Sequence, residues 1–142
     1  MALTTEEKAA ALLRVPLFQG ISGDSMAALV ALTGEQDFAA GQFIVRQGQV
    51  GTGLYLIMSG AVKVVRSLDE LATLGPGDFV GELAVIDQQP RLASVQATEP
   101  TVCLALASWD LLALVERDPK LSLNLIRGLT ARIRAAGEHH RH

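Results

Sequence analysis

The spacing of apolar residues changes character twice along this chain. It is helical at the start, alternates through the middle and turns helical again at the end. Ala10, Leu12, Leu13 and Val15 supply the apolar side of a first helix, which Thr4 and Glu7 open as a capping box and Pro16 ends. A second short helix is expected from about Ser25 to Thr33, with Met26, Leu29, Val30 and Leu32 as its buried stripe. From Glu35 to Ala107 short β-rich runs take over: Gln42–Arg46, Gly53–Met58, Ala61–Arg66, Leu71–Leu74, Arg91–Thr98 and Thr101–Ala107. Gly41, Gly48, Gly51, Gly53, Gly60, Gly75 and Gly77 punctuate them. Within the runs, Phe43 and Val45 share a face, as do Val62 and Val64, and Val102, Leu104 and Leu106. Ser108 is placed to cap a helix through Val115, with Asp110 in its first turn. Asp118 and Pro119 then open a last helix to about Ala135, with Leu121, Leu125, Ile126, Leu129 and Ile133 as its apolar positions.

Many short strands with regular glycine turns predict a mainly β fold with flanking helices. The expected form is a jelly-roll-like β-barrel with N-terminal helices and two C-terminal helices. The chain is expected to be one domain over residues 1–142, with N-terminal helices in 1–34, the barrel in 35–107 and the C-terminal helices in 108–136. No repeat or low-complexity linker interrupts it.

Composition narrows the function. Hydrophobic residues make up 49% and charged residues 19%, the balance of a globular chain. A net charge of −3 argues against wrapping a polyanion, so no DNA binding by this chain is expected. One small anion needs only a local positive spot. The single cysteine, Cys103, allows neither an internal disulfide nor a thiolate metal cluster and reads as a plain strand residue. The opening MALTTEEKAAALLRV lacks the layout of a secretory signal, and no run of eighteen apolar residues implies a membrane span. A cytoplasmic location is the resulting expectation.

Candidate chemistry concentrates between Gly75 and Val95, where the segment 79–95 reads as an anion cradle. Gly81-Glu82-Leu83-Ala84-Val85-Ile86 suits one helical turn, whose first free amides, near Leu83 and Ala84, attract an anion. Gly81 allows close backbone approach to a ligand. In the strand expected over Arg91–Thr98, Arg91 shares a face with Ala93, Val95 and Ala97 and should point inward. A buried guanidinium needs a partner, and its planar fork suits a phosphate. Glu82 would repel a phosphate directly but can accept a hydrogen bond from a neighbouring hydroxyl. On the residues alone, Glu82 and Arg91 pairing with each other is an equal alternative.

Gly81-Glu82-Leu83-Ala84 followed by Pro90-Arg91-Leu92-Ala93-Ser94-Val95 resembles the phosphate-binding cassette of the cyclic-nucleotide-binding domain family, which includes bacterial cyclic-AMP receptor proteins, protein kinase A regulatory subunits and cyclic-nucleotide-gated channels. Gly41, Ile44, Gly48, Leu54-Tyr55-Leu56-Ile57, Gly60 and Val62 match the upstream frame, so the resemblance covers about residues 15 to 135. It implies that Glu82 accepts the ribose 2′-hydroxyl and that Arg91 holds the cyclic phosphate. The amides of Leu83, Ala84 and Leu92 would complete the cradle, and Val64 and Leu71 would line the base pocket. The last helix would form a lid, with Arg132 the first candidate for a lid contact and Leu129 the second. Two departures stand out: Val80 replaces the usual aromatic residue before Gly81, and Leu92 replaces a serine or threonine. The missing hydroxyl at 92 leans toward cyclic AMP over cyclic GMP.

The implied function is a cyclic-nucleotide sensor without catalysis, metal or resident cofactor, whose C-terminal helices close over the base. A homodimer through Leu125, Ile126, Leu129 and Ile133 is a further expectation, and the protein partner is unspecified. Alternatives are an effector fragment of a larger regulator or channel, and a degenerate interaction module without ligand. A metal-dependent jelly-roll enzyme is disfavoured, because His139, His140 and His142 all lie at the C-terminus, outside any strand.

Overall fold

In the computed structural model, residues 3–51, 53–81 and 90–139 are described, together with their side chains except those of 132 and 135–139. Helix α1 spans Thr5–Leu13, and its capping box forms as the sequence predicts. The Glu7 amide donates to Thr4 Oγ1 at 3.1 Å, and the Thr4 amide donates to Glu7 Oε1 at 3.1 Å. A 3₁₀ turn at Pro16–Phe18 leads to α2, Gly23–Leu32. Its cap is Ser22, whose Oγ accepts from the Ser25 amide, so the helix starts earlier than expected. Leu29 is buried in α2 while Leu32 is exposed, which corrects the expected stripe.

Eight strands follow among the described residues: β1 Gly34–Phe38, β2 Phe43–Val45, β3 Gly53–Ser59, β4 Val62–Arg66, β5 Asp69–Leu74, β6 Phe79–Val80, β7 Ser94–Ala97 and β8 Thr101–Ala107. The sequence pattern missed β1 and β6. Strand β1 carries Glu35, Gln36 and Asp37 and shows no apolar alternation, and β6 has only two residues. Both exist because a neighbour offers a free edge, β8 for β1 and β3 for β6. The strands form two antiparallel four-stranded sheets, ordered β1-β8-β3-β6 and β2-β7-β4-β5. This is the mainly β, jelly-roll-like fold with flanking helices that the sequence implies. Helices α3, Ser108–Arg117, and α4, Pro119–His139, close the chain. Ser108 is the first residue of α3 and is buried, not its cap; Ala107 holds that position without a side-chain bond.

The first sheet is covered on both faces. Leu54 and Leu56 of β3 and Leu104 and Leu106 of β8 point to the helices, where they join Leu12, Phe18, Leu29, Leu111, Leu114, Leu121 and Leu125 in one core. On the opposite face, Ile57 and Cys103 meet Ile44, Val62, Val80 and Val95 in a second core between the sheets. Alternation with apolar residues on both faces places one strand in two cores. On β2, Phe43 and Val45 flank the inward residue, Ile44. No helix among the described residues is long and apolar enough to cross a membrane.

Candidate functional site

Strand β7 begins at Ser94, so Arg91 precedes it, which corrects the sequence expectation of a strand from Arg91 to Thr98. What holds Arg91 is a short zipper to the loop after β2. The Arg91 amide donates to Gln49 O at 2.8 Å, and the Gly48 amide donates to Arg91 O at 2.9 Å. Val50 bridges Pro90, and the Gln47 amide donates to Ser94 Oγ at 2.8 Å. Positive φ at Gly48 (85°) lets that loop turn back onto residues 90–94.

The backbone being fixed, the Arg91 side chain runs inward and is only 8% exposed. Its Nη2 donates to the carbonyl of Gly53, the first residue of β3, at 2.7 Å. The guanidinium thus links the segment before β7, in one sheet, to β3 in the other. Two glycines make the passage. A Cβ on Gly51 would overlap the guanidinium, and one on Gly81, whose φ is 103°, would collide with both Nη1 and Gly53 O. Gly81 thus leaves room for the Arg91 side chain. The Nε atom is buried and has no hydrogen-bond partner among the described residues. Burial lowers the Arg91 pKa from its ordinary value, the nearby Tyr55 opposing that shift. A guanidinium stays charged through such a shift, so the site holds a buried cation whose hydrogen-bond partner among the described residues is Gly53 O.

Glu82, Leu83 and Ala84 lie outside the described residues. Of the remaining expected site residues, Leu92 follows Arg91 directly with its side chain exposed, and its amide makes no hydrogen bond to a described residue. Val64 is half-buried against the inter-sheet core, paired with Val95 on one side and Ala72 on the other. Leu71 is the extra residue of a bulge in β5 and is 48% exposed. Leu129 is half-buried and lines a 590 Å³ gap between α4 and the β5–β6 turn. Arg132 belongs to α4, and its side chain is outside the description. Gly51, Gly53 and Tyr55 are the residues that sequence reasoning missed. The signal was available: Gly48, Gly51 and Gly53 crowd six positions just before a strand, more than one turn needs, and so mark close backbone approach. Among the described residues, no group of three His, Cys, Asp or Glu side chains could hold a metal. His140 and His142 are outside the description.

The molecule is a small jelly roll with a buried arginine between its two sheets. The comparisons make its class specific. The model of the cyclic nucleotide-binding domain matches residues 35–118, and the chain belongs to that family. It is similar to the cyclic AMP receptor protein of Thermus thermophilus, 36% identical over 126 residues, covering 85% of this chain and 58% of the relative. The crystal structure of the Thermus thermophilus catabolite activator protein superposes with a TM-score of 0.79 at 36% identity, over 87% of this chain and 61% of that one. The N-terminal domain of a transcriptional regulator from Streptomyces coelicolor is 30% identical with a TM-score of 0.75, covering 91% and 94% of the two chains. The chain spans a little over half the length of that Thermus thermophilus relative and of the CRP-like transcriptional regulator of Mycobacterium tuberculosis, 58% and 57%.

Proposed function

We propose that this chain is a single-domain cyclic-nucleotide sensor with no catalysis of its own, and that cyclic AMP is its ligand. The observation that carries this reading is Arg91. It is a buried cation whose Nε lacks a described partner, set between backbone segments that only glycine permits. Among the described residues its partner is one neutral carbonyl, which does not compensate a buried guanidinium, whereas a phosphate oxygen does. In this reading Arg91 binds the cyclic phosphate, and the amide of Leu92, which has no partner among the described residues, completes the cradle with those of Leu83 and Ala84. Glu82 accepts the ribose 2′-hydroxyl, Val64 and Leu71 border the base, and Arg132 contacts it from α4. The name of the Thermus relative, a cyclic AMP receptor protein, supports the choice of ligand, as does the lack of a hydroxyl at Leu92. Binding favours a closed position of the C-terminal helices, which is possible only if the nucleotide prefers that state.

Calorimetric titration with cyclic AMP and cyclic GMP tests this directly. Cyclic AMP is expected to bind in the micromolar range or tighter, and Arg91→Ala to weaken it by roughly thirtyfold to several-thousandfold, the equivalent of about 2–5 kcal/mol. A 2′-deoxy analogue should bind more weakly than cyclic AMP; equal affinity removes the role given to Glu82. No heat with either nucleotide sinks the reading.

A further inference from the structure

Neither Arg91, Val64 nor Leu71 lines the gap between α4 and the β5–β6 turn. Its volume of 590 Å³ falls within the roughly 300–1,000 Å³ of small-molecule sites. Leu17 and Leu125 are buried beside it, and Leu74, Phe79 and Leu129 are half-buried there. Phe79 and Leu129 pack on the helix-side core, whereas Leu74 packs on the core between the sheets. The gap therefore lies where apolar residues of the two cores come together.

Glycines stand on both walls. Gly77 has a φ of 93°, which its turn requires. Gly128 has no such reason to be glycine. It lies inside α4, where glycine is the least favourable residue after proline, and a Cβ there would meet nothing within 4 Å. Gly128 lines the gap, so bare backbone at this point leaves it wider than any other residue would. A residue chosen against the helix and in favour of an adjoining cavity is the kind of local conflict that marks a binding site. The polar groups of the lining then limit what fits. Asn124 Nδ2 is engaged by the carbonyls of Leu17 (3.0 Å) and Gln19 (2.8 Å). Among the described residues that line the gap, Arg127 is the only cation and Asp78 the only carboxylate. Asp78 Oδ2 already accepts from the Gly75 amide at 3.0 Å, which leaves Arg127 to select the charge of an occupant.

We propose that this gap is a second binding site, for a small amphipathic carboxylate of the fatty-acid kind. Its chain lies among Leu17, Leu74, Phe79, Leu125 and Leu129, and its carboxylate pairs with Arg127, whose planar fork suits that group. The occupant is apolar along its body because leucines and a phenylalanine supply most of the contact. It is anionic at one end because Arg127 is the charge left to meet it. The site uses neither Arg91 nor the amides of the cradle, so it stands or falls without reference to a nucleotide.

Decanoate, titrated calorimetrically into the full chain with decanol and decyltrimethylammonium alongside, tests the chemistry. Decanoate should bind saturably and more tightly than either control. No saturable binding, or a control that binds as tightly, overturns the proposal. Arg127→Gln should weaken decanoate by about two- to fivefold, the scale of an exposed ion pair, and leave decanol unchanged. Equal loss for both removes the role of the charge. Gly128→Leu should weaken decanoate by about tenfold or more, because leucine takes up space the chain needs, while the urea midpoint rises with the better helix former. Retained affinity in that variant overturns the site. Methyl resonances of the parent protein locate the ligand without any substitution. On adding decanoate, those of Leu17, Leu74, Leu125 and Leu129 should move and those of Val64 and Leu71 should stay. Shifts centred on Val64 and Leu71 would mean that the fatty acid enters the proposed base pocket, and would end the proposal.

Discussion

Arg91 is the residue on which the site turns, and its surroundings explain both its burial and its cost. A charged hydrogen bond to Gly53 O contributes about 1.5–3 kcal/mol, less than the several kcal/mol needed to remove a guanidinium from water. Among the described residues only Gly53 O partners the guanidinium, and a bound anion would offset what remains. Glycine is required at 81 for two independent reasons: φ is 103°, and a side chain would strike Nη1 and Gly53 O. Gly81→Ala is therefore expected to destabilise the fold by about 1–3 kcal/mol and to weaken nucleotide binding by displacing Arg91. Urea unfolding and titration of the same variant check the two effects, and a variant as stable and as tight as the parent would contradict both.

At the scale of elements, helix ends and loop zippers decide where the barrel and the helices meet. Four donors converge on the Asp118 carboxylate, foremost the Ser25 hydroxyl and then the Ser22 amide, and hold its pKa down at about 2 from an ordinary 3.8. A depressed carboxyl pKa stabilises the fold above the unfolded-state value, and that contribution is lost as pH falls through the folded-state value. The extra stability of the parent over Asp118→Asn should therefore be fully present at pH 6 and shrink between about pH 4 and pH 2. Denaturant midpoints measured across that range test it; a difference independent of pH would mean that the charge of Asp118 contributes nothing. The loop 46–51 does similar work at the barrel, fixing Arg91 by backbone bonds that no side-chain pattern announces.

For the whole molecule, the important feature is one sheet serving two cores. Strand β8 carries Leu104 and Leu106 toward the helices and Cys103 toward the second sheet, so any shift of the first sheet is felt on both sides. The Cys103 thiol has no solvent exposure, and burial pushes its pKa up to about 11. It should resist a thiol reagent at pH 8 in the native protein and react only as fast as the protein unfolds globally. Rapid modification of the native chain would show that β8 opens locally.

The sequence by itself determined the helix–strand–helix order, the capping box at Thr4, and the cap and proline that open α4. Each rests on local chemistry: turn and capping residues and periodicity of two or 3.6. The cassette motif also carried the family, because its glycines and arginine sit at fixed spacing. Tertiary structure decided the rest. Strands β1 and β6 exist through edges supplied by β8 and β3, and Arg91 is held by a loop more than forty positions earlier in the chain. Ile126 and Ile133 stay exposed although they continue the apolar stripe of Leu121 and Leu125. A stripe records which face of a helix is apolar; how far along the helix that face finds a partner depends on where the N-terminal segment and the β5–β6 turn lie, and no local pattern encodes that distance.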